Sequence, residues 1–458
     1  MRIAIVGGGA TGALAAIHLA RRHSGGPVDI VLIEPSAALG KGLAYSTRDP
    51  RHLLNVRVGN MAAFADEPDH LHQWLKARGE LDDGRCPSPF CFISRATYGD
   101  YIGELVDDLI VAGKARHVRD SCVDLVEDSD GVTLKLASGR SIAADRVLLA
   151  TGHDARPTLY GVHAEQPWTE GSLEGLPPHV PVLIIGSGLT MVDMALSLDR
   201  RGHKGPIMAV SRRGLFPQAH RPVTVRQIGN VPFGAELSQL LAWLRGLAAR
   251  IAAEGGDWRS AVDALRPHTQ RLWRAMTLTQ RRRFLRHARA YWDVHRHRMA
   301  PEVERRIAAM RQAGRLKVVA GRVLWADQRG DWVDARILPR NGTVAQEHRF
   351  GRVIDCAGLA DDPRRSANPL IGALLARGAT RVDLLGIGLD VAPDGALIDA
   401  AGKPSHRVQA IGPLARASLW ECIAIPDIRL QCQDVAEQIL PEPAESGPGE
   451  PHSARRFA

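Results

Sequence analysis

Six cysteines are present, yet none form a C-x-x-C pair or the spacing of a zinc site, so a structural zinc module is not expected. No apolar run is long enough to cross a bilayer, so no membrane partner is expected. Lysine is scarce; arginine supplies most of the 59 basic residues and the net charge of +9. No Ser-His-Asp arrangement has supporting context, so nucleophilic acyl transfer has no candidate residues. The arginine excess gathers in residues 200–315, including Arg281, Arg282, Arg283, Arg286 and Arg289. There it is interleaved with Trp, Leu and acidic residues at helical spacing, which fits a solvated or cofactor-facing helix face better than a nucleic-acid surface.

Only Cys86 and Cys91 have a spacing worth testing. C-x4-C is the spacing of the redox pair in the glutathione-reductase class. Here two prolines lie inside the segment and oppose a helix, and a loop with reduced thiols is expected. The 458 residues exceed one ordinary core, so two or three lobes are expected. A content of 45% hydrophobic and 24% charged residues is that of a globular protein.

What is abundant is glycine in two particular places. Arg2-Ile-Ala-Ile-Val-Gly7-Gly-Gly9-Ala-Thr-Gly12 is an apolar strand running into a G-x-G-x-x-G turn. Because of that core, residues 3–20 read as strand, turn and helix rather than as a signal peptide, and a cytoplasmic location is expected. The predicted elements are a strand over 3–6, a helix over 12–22 and a strand over 29–34. Gly7, Gly9 and Gly12 permit the tight turn and the approach of a pyrophosphate to the helix amino end. Glu34 closes the second strand 27 residues after Gly7, where a carboxylate accepts hydrogen bonds from a ribose diol. The lobe closes on Val147-Leu-Leu-Ala-Thr151-Gly152, an apolar strand returning toward the nucleotide.

The second turn is Val182-Leu-Ile-Ile-Gly186-Ser-Gly188-Leu-Thr-Met191. Met191 replaces the third glycine, which is expected to set the helix further from the strand. The next strand, over 207–210, ends in Ser211, Arg212 and Arg213, beginning 25 residues after Gly186. A hydroxyl and two guanidiniums in place of an acid suit the 2′-phosphate of NADPH. Leu237, Leu240, Leu241, Leu244 and Leu247 recur at the spacing of a packed helix face within a helical stretch over 235–314. His295 and His297 lie two apart on a predicted helix and do not share a face; no metal site is expected. Strands resume over 316–319 and 352–355, the latter followed by Cys356-Ala-Gly358. Another strand ends in Gly412, a helix covers 428–439, and composition predicts a disordered tail over 441–458.

Two such turns in this order suggest a flavoprotein that also takes up a nicotinamide cofactor. The chain resembles the bacterial FAD–NAD(P)-binding family of two-dinucleotide-binding flavoproteins, related to N-hydroxylating and flavin-containing monooxygenases. The resemblance rests on Gly42-Leu-Ala-Tyr45, His52-Leu-Leu-Asn55, Arg95-Ala-Thr-Tyr98, residues 186–193, Ser211-Arg-Arg-Gly214, Gly412-Pro-Leu, Trp420-Glu421 and Ile425-Pro-Asp-Ile-Arg429. It implies an α/β fold with two Rossmann-like domains. A discontinuous FAD domain (1–160 and 346–440) would hold an inserted NADPH domain (161–345) that includes the helical insertion 235–314. It further implies that the carboxy-terminal segment covers the isoalloxazine, and that Tyr45, His52 and Asn55 face the flavin. Thr151, Gly152, Gly358 and Gly412 join the cofactor-binding candidates.

Two departures matter. Pro413 follows Gly412 where many flavoproteins have an aspartate, and the aromatic–glycine–histidine fingerprint of monooxygenases is not reproduced around Tyr160, Gly161 and His163. The expectation is an FAD-dependent NADPH oxidoreductase, a monooxygenase acting through a flavin hydroperoxide on a small amine or sulfur nucleophile with molecular oxygen. The alternatives are a reductase or dehydrogenase passing electrons to another acceptor, and a non-catalytic nucleotide sensor or electron carrier. No catalytic side chain is identified, and oligomeric state is not legible.

Overall fold

The computed structural model describes residues 1–22, 28–81, 86–152, 161–169, 171–358 and 362–441. Tyr160 and the predicted tail from residue 442 onward lie outside them. In chain order the strands of the first part are β1 (Arg2–Val6), β2 (Asp29–Ile33), β3 (Arg116–Val118), β4 (Cys122–Glu127), β5 (Val132–Leu136), β6 (Ser141–Ala144) and β7 (Arg146–Leu149). Then come β8 (Val182–Ile185), β9 (Ile207–Ser211), β10 (Leu316–Arg329), β11 (Trp332–Pro339), β12 (Gln346–Phe350), β13 (Arg352–Asp355), β14 (Ala396–Ile398) and β15 (Pro404–Ala410). The helices are α1 (Ala10–Arg22), α2 (Gly42–Tyr45), α3 (His70–Ala77), α4 (Arg95–Val111) and α5 (Leu189–Arg200). A helical run follows: α6 (Leu237–Ala253), α7 (Trp258–Leu265), α8 (Thr269–Ala275), α9 (Leu278–Arg283), α10 (Arg289–Arg296) and α11 (Pro301–Gln312). The last two helices are α12 (Pro369–Arg377) and α13 (Ile425–Ile439).

The first sheet has the order β14-β15-β7-β1-β2-β3, with β1 parallel to both β2 and β7. Its central strands β1, β2 and β7 are apolar on both faces, as a covered parallel sheet demands. Alternation then sorts them. Ile3, Ile5, Leu32 and Leu148 pack under α1, α4 and α13, while Ala4, Val6, Val31 and Leu149 pack toward β4–β6 and α12. β4, β5 and β6 form a separate antiparallel sheet.

The second sheet, β12-β11-β10-β9-β8-β13, repeats the device. Ile184 and Ala209 face α5 and α11, while Leu183 and Val210 face the other core with Ala335 and Ile337. Two expectations change here. Residues 346–355, assigned by the sequence to the return of the first lobe, supply β12 and β13 of the second sheet. β13 pairs in parallel with β8, as β7 does with β1, and so closes the second lobe. The strand expected over 316–319 continues to Arg329 and folds back at Gly330 (φ +60°) into β11. Its bulge near Val323 interrupts the period-2 pattern.

Candidate active site

At the first turn, Gly7 has φ +101°, and a Cβ there would meet the Ala150 carbonyl oxygen at 2.5 Å. A Cβ on Gly12 would overlap the Gly7 carbonyl oxygen outright, so only glycine lets α1 start this close to β1. Gly9 lies against Gly42, with no room to spare for its own Cβ at 3.3 Å from the Gly42 Cα. The turn is thus a cradle of backbone at the amino end of a 13-residue helix. Glu34 sits at its rim, where its Oε2 accepts from the Gly8 N–H at 2.8 Å and its Oε1 from the Ser36 N–H at 3.0 Å. Gly412 (φ +68°) closes the same region from the other end of the chain, beside Thr11. The Gly412 N–H donates to Gln431 Oε1 at 2.7 Å, a partner the sequence did not suggest.

The second turn keeps the first two features and drops the third. Gly186 (φ +110°) packs against the Cys356 carbonyl as Gly7 does against Ala150. Gly188 begins α5 with open space around it. Met191 is wholly buried in the apolar core, so the close backbone contact seen at Gly12 has no counterpart. Gly152 (φ +72°) and Gly358 (φ +108°), two residues past those carbonyls, are both open. Thr151 adjoins Gly7 through its Cα.

Ser211 ends β9 and receives a hydrogen bond from Ser187 Oγ at 2.7 Å. Beyond it opens a cavity of about 560 Å³ lined by Arg212, Arg213, Arg286, Arg289, Arg340 and Gly358. The sequence pointed to Arg212 and Arg213, and placed Arg286 and Arg289 on a cofactor-facing or solvated helix face. Arg340 was missed, because only the β10–β11 hairpin carries it back to this edge.

The three candidates in the 42–55 loop fare differently. Tyr45 packs on Tyr98 at 4.8 Å between ring centres, and burial pushes its phenol up to about 12. His52 is buried between the lobes. Its Nε2–H faces the Asp193 carbonyl at 3.0 Å and Ser197 Oγ at 2.8 Å, which leaves Nδ1 to accept from Thr47 Oγ1 at 2.8 Å. Asp49 takes hydrogen bonds from Ser197 and Arg200, and Arg95 pairs with Asp193 at 2.9 Å. The structure thus places His52 in a clasp between the loop and α5. The Asn55 carbonyl accepts from His220 Nε2 at 3.0 Å.

The helical run meets the carboxy-terminal segment through aromatic and ionic contacts. Trp273 stacks on Trp420 at 4.4 Å and donates from Nε1 to the Ala417 carbonyl at 2.7 Å. Glu421, held at φ +65°, is buried and accepts from Trp292 Nε1 at 2.5 Å and Arg296 Nε at 3.1 Å. Cys86 and Cys91 lie in a loop, as expected, but are joined as a disulfide rather than reduced. Their Cα atoms are 5.0 Å apart, within bridging range. Among the described residues no group of three or more His, Cys, Asp or Glu side chains is placed to hold a metal ion. Nor, among those residues, is any helix long and apolar enough to cross a membrane.

Residues 4–154 match the FAD-NAD(P)-binding family. This agrees with the resemblance carried by the 42–55 motifs. No curated protein sequence matches the chain. Among solved structures, the ornithine N-hydroxylase of Kutzneria sp. 744, containing reduced FAD, NADP+ and L-ornithine, superposes with a TM-score of 0.66 at 16% identity, covering 95% of this chain and 98% of that one. The L-lysine 6-monooxygenase of Pseudomonas syringae gives 0.66 at 16%, with 96% and 98% covered. The thioredoxin reductase of T. acidophilum gives 0.52 at 13%, with 96% and 97% covered. The chain therefore shares the fold of these structures along nearly its whole length.

Proposed function

We propose that this protein is an FAD-dependent oxidoreductase that oxidises NADPH and inserts oxygen into a small amine or sulfur nucleophile. One observation carries the reading: two turns of the same backbone design end in opposite chemistry, a carboxylate at one rim and five guanidiniums at the other. The fold shared with ornithine and lysine hydroxylases supports the oxygenase class.

The residues fit both cofactors. Gly7 and Gly12 allow the tight turn and close helix–strand packing that bare the backbone at the amino end of α1, where a pyrophosphate would sit. Glu34 can accept from a ribose diol with the lone pairs left by Gly8 and Ser36. Gly152 and Gly412 bound the flavin side of the same lobe. Gly186, Gly188, Ser211, Arg212 and Gly358 receive NADPH, with the guanidiniums neutralising its 2′-phosphate.

FAD, when bound, would supply the redox chemistry, namely hydride acceptance and oxygen activation. The chain's own part is placement and exclusion of water. The Trp273–Trp420 stack and the Glu421 ion pair seat the helical run on the carboxy-terminal segment, away from solvent. Tyr45, whose phenol burial raises to about 12, keeps its proton into more alkaline solution than an exposed tyrosine does. The His52 clasp holds the 42–55 loop against α5, and so fixes one lobe's cofactor turn relative to the other's.

The decisive experiment is anaerobic reduction by NADPH, then mixing with oxygen in the presence of primary amines and thioethers. Hydroxylamine or sulfoxide formation coupled to NADPH consumption is expected. Full release of hydrogen peroxide with no oxygenated product overturns the oxygenase reading and favours a reductase passing electrons to another acceptor. Replacing Cys86 and Cys91 by serine separates that alternative further: activity is expected to persist, whereas a disulfide reductase would lose it.

A further inference from the structure

The guanidinium cavity contains more cationic charge than the strand end that first pointed to it. Five arginines line it, and the one carboxylate in its wall, Asp293, pairs with Arg289 at 3.5 Å. Arg213 is also engaged. It donates from Nη2 to the Arg286 carbonyl at 3.1 Å and lies over the Tyr291 ring at 5.1 Å. Three guanidiniums remain without a protein partner among the described residues: Arg212, Arg286 and Arg340, all exposed. They reach the cavity from three separate pieces of backbone.

Arg212 directly follows the last residue of β9. Arg340 follows β11, and its N–H donates to the Ala320 carbonyl at 2.9 Å; Ala320 in turn pairs in register with Ser211. This brings Arg340 alongside the same strand end. Arg286 belongs to the π-helical turn Phe284–Ala288, which joins α9 to α10. A π turn inserts one residue relative to an α-helix and re-aims the side chains around it, and such turns concentrate at functional sites. Here the turn presents Leu285, Arg286 and His287 to the cavity, and Arg213 holds it there by the Arg286 carbonyl.

We infer that Arg286 and Arg340, together with Arg212, form the anion clamp that selects the 2′-phosphate of NADPH, and that Arg213 is a positioning residue for the π turn. The inference rests on the NADPH reading above and adds two residues distant in sequence. It also gives the helical run a role in coenzyme binding, as one jaw of that site. Three charge-assisted contacts from three directions surround a tetrahedral dianion and leave an unphosphorylated ribose without a matching partner.

The test measures binding of two probes, 2′,5′-ADP and 5′-ADP, to the wild-type protein and to Arg286→Gln, Arg340→Gln and Arg212→Gln. Each variant is expected to bind 2′,5′-ADP about tenfold more weakly, the loss of one charge-assisted contact, with 5′-ADP binding unchanged. Arg340→Lys should recover part of the loss. Combining Arg213→Gln with Arg286→Gln should weaken 2′,5′-ADP no further than Arg286→Gln alone, because coupled residues are non-additive. These side chains are exposed, so thermal unfolding should not move. If wild type prefers 2′,5′-ADP and only Arg212→Gln lowers that preference, the clamp is overturned while the NADPH reading stands. If wild type binds the two probes equally, the NADPH reading falls, and the clamp with it.

Discussion

The two nucleotide turns share a backbone and differ in everything attached to it. Gly7 faces the Ala150 carbonyl and Gly186 that of Cys356; Gly152 and Gly358 follow those carbonyls at the same offset, each with positive φ. The first turn is tight, with Gly12 against the Gly7 carbonyl and Glu34 pinned to the Gly8 N–H. The second is loose, with Met191 in the core and no atom near Gly188. The lesson is a division of labour. Backbone geometry leaves both turns open at a helix amino end, whereas in the proposed reading the residues beyond each second strand choose between a diol and a phosphate.

The sharpest way to break the comparison is to add one methyl group at the tightest glycine of the first turn and one at the open glycine of the second. Gly12→Ala drives a Cβ into a backbone oxygen, which cannot move aside as a side chain would. Loss of FAD binding is expected, with destabilisation of several kcal/mol or failure to fold, read by flavin content and unfolding midpoint. Gly188→Ala meets open space at φ −83°, and near-normal stability and flavin content are expected. Gly188 is the second glycine of its turn, as Gly9 is of the first, so equal effects would show that the first turn is no less tolerant of an added methyl group than the second.

Next in size is the rim carboxylate. Glu34→Ala removes the acceptor of the Gly8 N–H and the proposed ribose partner. Weakening of FAD by about 1–3 kcal/mol is expected, measured by titration of apoprotein with flavin, with NADP+ binding unaffected. An equal loss for both nucleotides would point instead to a general collapse.

The smallest expected effect concerns pH. Burial first, and then the charge of Arg298, depress His220 to about 3, and its Nε2 serves the Asn55 carbonyl. The unfolded chain therefore binds a proton below about pH 6.5 that the folded chain refuses. Stability contributed by this site is complete above that pH and declines as pH falls toward 3, by about 1–2 kcal/mol at pH 5. His220→Gln should flatten the denaturant midpoint between pH 7 and pH 5. An unchanged slope would assign the acid sensitivity to other groups.

Legibility in the sequence followed the distance over which a feature is built. The turns, Glu34 and the Ser211–Arg213 strand end are local, so strand, glycine and rim residue can be seen within thirty residues of each other. The helix expected over 428–439 is likewise legible from its own residues and lies within α13. Arg340 was invisible because its position depends on strand pairing across a bulged hairpin. The assignment of 346–355 failed for a related reason: an apolar strand ending in small residues closes either lobe, and only its partner, β8, says which. His52 carried a motif but no sign that its Nε2 would be engaged by α5 of the other lobe and its Nδ1 by Thr47 of its own loop. The Cys86–Cys91 pair was judged by its unsuitability for a helix, while a turn brings the two sulfurs together equally well.

The position of β15 has a consequence for how the molecule comes into being. It lies beside β7, pairing Val408 with Val147, although 261 residues separate the two along the chain. During synthesis β1, β2 and β7 emerge early and must wait, with one edge of their sheet unpaired, until nearly the whole chain has been made. β8 to β13 are contiguous and can close in the meantime. The lobe that begins first is thus expected to finish last, and an exposed β7 edge is the most vulnerable surface of the nascent chain.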